Sequence, residues 1–219
     1  MTPASKPESE AANHADVKRR YQLITDMMQQ AANRVADPEL PFLQIGDLGI
    51  LRSVSIEGTT IVAMVSPTYT GCPAVSVIED QVEEALTEAL GKARGLGLLD
   101  EIDSSDDDNW QVRVQRQISP AWTTDWITAE GHRKLKANGI APPAAPSVPS
   151  TNQAVTKIAA SSIKSESVTT QLFETVTPEC PYCESERTEC VSQFGSTPCK
   201  SQHRCLDCRE PFDYFKCLR

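Results

Sequence analysis

The stretch ECPYCESERTECVSQFGSTPCKSQHRCLDCRE, residues 179–210, holds two Cys-x-x-Cys pairs, Cys180 with Cys183 and Cys205 with Cys208, separated by the 21 residues 184–204. Each pair makes a tight knuckle that aims two thiolates at one ion. The intervening length suits a short hairpin, so four sulfurs close a tetrahedron. This spacing predicts a zinc ribbon over 178–219, with iron an alternative occupant because tetrathiolate sites accept both. A closed tetrathiolate leaves no position for water or substrate, so the site points to folding and not to catalysis.

Outward from the ribbon, 219 residues allow one ordinary domain besides the metal module. Aromatic residues make up 5% of the chain and the mean hydropathy is negative, so a good part of it is expected to be solvated connection. The formal charge is −9, and Asp100, Glu101, Asp103, Asp106, Asp107 and Asp108 form the densest acidic cluster. From Pro178 to Arg219 six Lys or Arg face seven Asp or Glu, so the ribbon has no basic footprint and nucleic acid is excluded as a partner. The N-terminal residues MTPASKPESEAANHADVKRR lack the apolar run of a signal peptide, and no stretch is long enough to span a bilayer. A cytoplasmic protein without a membrane partner is expected. In that reducing compartment eight cysteines read as metal ligands, reactive thiols or small buried residues, and packing or exposure without chemistry is the plain reading of Cys190, Cys199 and Cys217.

The periodicity predicts an α+β fold: a small sheet packed against helices, then a flexible linker and the C-terminal zinc ribbon. After a disordered lead over 1–15, Val17, Tyr21, Ile24, Met28, Ala31 and Val35 line one helix face, and Asp37-Pro38 ends that helix. Residues 39–49 read as a loop, and runs 50–56 and 60–65 read as a hairpin across Glu57-Gly58-Thr59. Val75, Ile78, Val82, Leu86 and Leu90 define a second helix with Pro73 in its first turn; Trp110, Val112 and Val114 define a third strand. A last helix is capped by Thr128 and stopped by Gly139, closing a domain over 16–140. The Pro-, Ala-, Ser- and Thr-rich residues 141–177 read as linker.

Within that domain Cys72 lies at the N-terminus of the second helix, where the dipole and free amides favour a thiolate. By position alone a buried, inert cysteine is the plainer reading. Asp37 and Glu39 flank Pro38 as in an ordinary helix stop, and Asp47 reads as a turn aspartate. Trp122 and Trp126, one helical turn apart, read as core rings or as an exposed pair that docks a partner. His14, His132 and His203 are scattered, and no nucleophile elbow, phosphate loop or dinucleotide fingerprint occurs.

Asp37-Pro38-Glu39, the Asp47-Leu48-Gly49 turn and Thr70-Gly71-Cys72-Pro73 resemble the small domain of SufT-type iron–sulfur assembly factors. SPAWTTDW from Ser119, FGSTPCK from Phe194 and EPFDYFK from Glu210, together with the ribbon, resemble the D-subunit family of the bacterial phenylacetyl-CoA epoxidase system. That resemblance implies an accessory component of a multicomponent monooxygenase in aerobic phenylacetate catabolism, not itself an enzyme. In that system a di-iron subunit epoxidises the ring and an iron–sulfur flavin reductase supplies electrons; both are the implied partners. Maturation of one of them is the implied role, a stoichiometric structural subunit or a zinc-ribbon protein-binding adaptor the alternatives, and homo-oligomerisation is left open. The resemblance makes Cys72, with Asp37 and Glu39 as auxiliary or loop-shaping residues, the expected point of metal or transient iron–sulfur cluster transfer. It also adds Cys199, inside FGSTPCK, as a fifth sulfur near the ribbon site, with packing its plainer role.

Overall fold

The computed structural model describes residues 7–69, 71–99, 110–143 and 177–216, and only the backbone of residues 7–15. Thr70, the acidic run 100–108, Cys217 and nearly all of the expected linker lie outside the described residues. The chain divides between Lys134 and Leu135 into two compact units.

The first unit contains α1 (Pro7–Asn33), β1 (Leu51–Glu57), β2 (Thr60–Val65), α2 (Ala74–Gly95), β3 (Gln111–Arg116), a 3-10 turn (Thr124–Trp126) and most of α3 (Ala129–Ala137). β1 and β2 form the expected antiparallel hairpin, and β3 joins β2 in parallel after the α2 crossover, giving the order β1-β2-β3. Helices α1 and α2 pack on each other, α1 against β1 and α2 against β2 and β3. The central strand β2 buries Ile61, Val62, Ala63 and Val65, whereas β3 alternates half-buried Val112 and Val114 with exposed neighbours, as an edge strand does.

Two expectations about α1 are corrected. It begins at Pro7, inside the segment read as a disordered lead, since proline is well placed at a first helical position where its missing N–H is not needed. It ends at Asn33, before Asp37-Pro38, because the chain turns back on itself: Ile45 N–H donates to Val35 O at 2.8 Å and Asp37 N–H to Leu43 O at 2.9 Å. The buried stripe is Ile24, Met28 and Ala32, so Ala32 takes the place expected for Ala31.

The Asp47-Leu48-Gly49 turn is where the end of this unit closes on its start. The Trp122 indole N–H donates to Leu48 O at 2.8 Å, Thr128 N–H donates to Asp47 O at 2.9 Å, and Lys134 Nζ lies 2.6 Å from Asp47 Oδ2. Trp122 is buried, which settles it as a core ring; Trp126 is half-buried beneath the Arg52 guanidinium, 3.4 Å above its centroid. Gly49 is required: its φ is +65°, and a Cβ there would stand 2.5 Å from Trp126 O.

The second unit holds β4 (Ile140–Ala141), β5 (Thr188–Ser192), β6 (Lys200–Cys205) and β7 (Pro211–Phe215) in the order β4-β7-β6-β5. The three long strands pair antiparallel and β4 adds to β7 in parallel. Ala141, read from sequence as the first linker residue, is a buried strand residue, 1% exposed. A two-residue strand has no periodicity to betray it.

Gly49→Ala is expected to lower the urea stability of the first unit by about 3 kcal/mol, the sum of a left-handed backbone penalty and an overpacked contact. The check is the denaturation midpoint followed by tryptophan fluorescence; a change under about 0.5 kcal/mol would contradict the closure described.

Candidate metal centre

The four sulfurs of Cys180, Cys183, Cys205 and Cys208 lie within 4.8 Å of one another, a metal-binding cluster. Cys180 Sγ is 3.7 Å from Cys208 Sγ, and Cys183 Sγ is 3.6 Å from Cys205 Sγ. A tetrahedron with metal–sulfur bonds of about 2.3 Å has edges of about 3.8 Å, which these two separations match.

The knuckles are built alike although their side chains differ. Cys180 N–H donates to Ser185 O at 2.9 Å and Cys205 N–H to Glu210 O at 3.0 Å, the same five-residue offset. In each the residue after the second cysteine is left-handed, Glu184 at φ 61° and Arg209 at φ 69°. That conformation costs a non-glycine residue about 1–2 kcal/mol, so both turns are held against a local penalty. Asp207, inside the second knuckle, accepts from Ser185 Oγ and, at 2.7 Å, from Arg187, and Leu206 N–H donates to Arg187 O at 2.8 Å. This staple was missed in the sequence, where Ser185, Arg187 and Asp207 look like ordinary polar surface.

Backbone amides also set the thiol chemistry. Burial pushes the Cys205 thiol up, but the amides of Cys208 and Asp207 and the neighbouring thiols bring it down to about 6. The Glu210 amide pulls Cys208 down, yet desolvation and the adjoining sulfurs outweigh it and push it up to about 12. Cys183 is likewise raised: the Ser185 amide lowers it, while desolvation and the Cys205 and Cys180 thiols prevail. The cluster thus takes one negative charge readily and resists further ionisation until a cation offsets it.

The other site candidates lie elsewhere. Cys199 is buried before β6, with its sulfur 3.0 Å from Thr197 Oγ1 and its carbonyl bound by Lys216 N–H, and is not one of the four. Cys190 is exposed on β5. Cys72 is 8% exposed just before α2, whose cap residue Pro73 makes no side-chain bond and whose first turn carries no acidic residue. Asp37 is buried, and its Oδ1 accepts from Glu39 N–H at 2.9 Å and Leu40 N–H at 2.8 Å, an arrangement that shapes the loop. Glu39 is half-buried in that loop. Among the described residues, the four ribbon cysteines are the one group of three or more potential ligands close enough to share an ion; Asp37, Glu39 and Cys72 do not form a second.

Between pH 7 and 8 Cys205 is ionised while Cys183 and Cys208 keep their protons, so binding an ion expels at least two. Raising the pH therefore strengthens binding, by at least about 100-fold per pH unit in this window. Chelator competition at several pH values measures the slope; tenfold per unit or less would contradict the arrangement.

Comparison with known proteins accords with both units. A family model described as the PaaD zinc beta ribbon domain matches residues 164–216, and one described as an iron-sulfur cluster assembly protein matches residues 26–95. An Escherichia coli (strain K12) protein, provisionally named as the D subunit of 1,2-phenylacetyl-CoA epoxidase, is 36% identical over 188 residues, 85% of this chain and 88% of that protein. The crystal structure of a domain of unknown function, DUF59, from Bacillus anthracis is similar at a TM-score of 0.40 and 20% identity, over 52% of this chain and 93% of that one. On the extent and identity of the Escherichia coli match, the chain belongs to the family of phenylacetyl-CoA epoxidase D subunits.

Proposed function

We propose that this chain is an accessory factor of a phenylacetyl-CoA epoxidase that assists maturation of a metal-bearing partner, either the di-iron catalytic subunit or the iron–sulfur flavin reductase. The observation that carries the reading is the pairing in one chain of an iron–sulfur-assembly type of domain with a D-subunit ribbon. The two parts divide the work. The ribbon cysteines hold a resident zinc ion that supplies structure, since four thiolates leave no open position for exchange chemistry. Cys72 is the transfer thiol for iron or an iron–sulfur cluster as cargo. It stands beside a helix N-terminus with no acidic side chain in its first turn, where negative charge is favoured. Asp37 acts through its loop, holding the backbone that carries Glu39, and Glu39 serves as an auxiliary oxygen donor to the cargo.

A second reading, a stoichiometric structural subunit, is supported by the word "subunit" in the relative's name. Co-purification with the epoxidase at a fixed ratio favours it over transient assistance.

Epoxidase isolated from cells carrying Cys72→Ala is expected to contain at most about half the normal iron, with ring epoxidation reduced in step, while the variant chain accumulates normally and keeps its ribbon metal. Full iron content and activity in the partner subunits would remove Cys72 from the transfer role.

A further inference from the structure

The residues that precede β4 reach the metal centre without ligating it. Lys136 Nζ lies 2.8 Å from Glu184 and 3.5 Å from Glu179. Glu179 immediately precedes Cys180 and Glu184 immediately follows Cys183, so one ammonium ties the two ends of the first knuckle together. Tyr182, between those cysteines, lays its hydroxyl against Gly139, whose φ is +73°; a Cβ at that glycine would collide with it. Ala141 then pairs with Tyr214 on β7 and shares an apolar cluster with Cys180, Cys205, Phe212 and Tyr214, with Cys208 packed against it. Three of the four sulfur donors therefore touch a cluster that is complete only when Ala141 is in place.

We propose that Leu135–Ala141 is a positioning strap for the metal centre, with Lys136 and Gly139 as its positioning residues, so that strap docking and ion binding are thermodynamically linked. The inference rests on the four cysteines binding an ion. The ion holds Cys180 and Cys183 in the geometry that presents Glu179, Tyr182 and Glu184 to the strap. The docked strap in turn holds the knuckle ends at the spacing that the ion requires. Linkage is reciprocal: whatever factor docking adds to ion affinity, the ion adds to docking.

The test uses the full chain and zinc itself, with affinity read by competition against a chromophoric chelator. Lys136→Glu reverses the charge facing two carboxylates and is expected to weaken zinc affinity about tenfold, an effect that shrinks in high salt. Lys136→Arg keeps the charge and should restore most of it. Gly139→Val, which strains a left-handed backbone position and crowds the Tyr182 hydroxyl, is expected to cost at least as much. Glu189→Ala breaks a comparable exposed pair with Arg204, which adjoins Cys205 in the second knuckle and not the strap, and should cost far less affinity than Lys136→Glu. In parallel, zinc should slow hydrogen exchange at the amides of Ile140 and Ala141 in the wild type and do so less in Lys136→Glu. Equal zinc affinity in wild type, Lys136→Glu and Gly139→Val would overturn the proposal, as would an equal loss in Glu189→Ala, which would make the effect one of general ribbon stability. A chain that binds no zinc at all would instead refute the metal centre on which the inference rests.

Discussion

Four sulfurs within reach of one ion are the constraint on which the C-terminal unit depends. Its apolar cluster is Ala141, Cys180, Cys205, Phe212 and Tyr214, so two of five members are themselves donors. Cys180 and Cys205 thus belong to the core and to the metal site at once. The left-handed turns at Glu184 and Arg209, the shared offset of the knuckle hydrogen bonds and the Asp207 staple all serve to bring two pairs of thiols to one point. Without a cation those sulfurs crowd one another; a bound cation attracts all four and outweighs their mutual repulsion, which draws the strands together.

The N-terminal unit has no such need. Ile24, Met28, Leu43, Ile45, Leu48, Ile50, Ile61, Val65, Val82 and Leu86 are essentially fully buried, and its end is fastened to its start through the Asp47-Leu48-Gly49 turn. That core needs no metal to hold it, and in the proposed reading the exchange of cargo falls to Cys72, before α2, and not to the ribbon. A saturated tetrathiolate is a poor donor of its ion. An ion held by a single thiol would keep coordination positions open to the ligands of a partner.

How much of this was legible in the sequence follows the range of the interactions. Cys180, Cys183, Cys205 and Cys208 were readable because ligand spacing within a knuckle is local and chemically specific. The β1–β2 hairpin, the α2 face and the Thr128 cap were readable for the same reason: each is decided within one or two turns of chain, and Thr128 Oγ1 indeed accepts from Gly131 N–H. The early end of α1 was not, because it is set by hydrogen bonds between Val35 and Ile45 across a loop whose closure no periodicity announces. Nor was β4, whose two residues are defined only by their partner β7. Asp37 was read as a helix stop with a ligand role in reserve; the structure uses one of its oxygens to bind two backbone amides, a role that becomes visible only once Glu39 and Leu40 are placed.

The most direct test of the central claim is X-ray absorption at the zinc edge on the isolated full-length chain. A first shell of four sulfur scatterers at about 2.3 Å, with no nitrogen or oxygen, is the expected result. Three sulfurs or fewer, or any light-atom ligand in that shell, would mean that the ion has an open or mixed coordination sphere, and would contradict the assignment of the ribbon to structure and of exchange to Cys72.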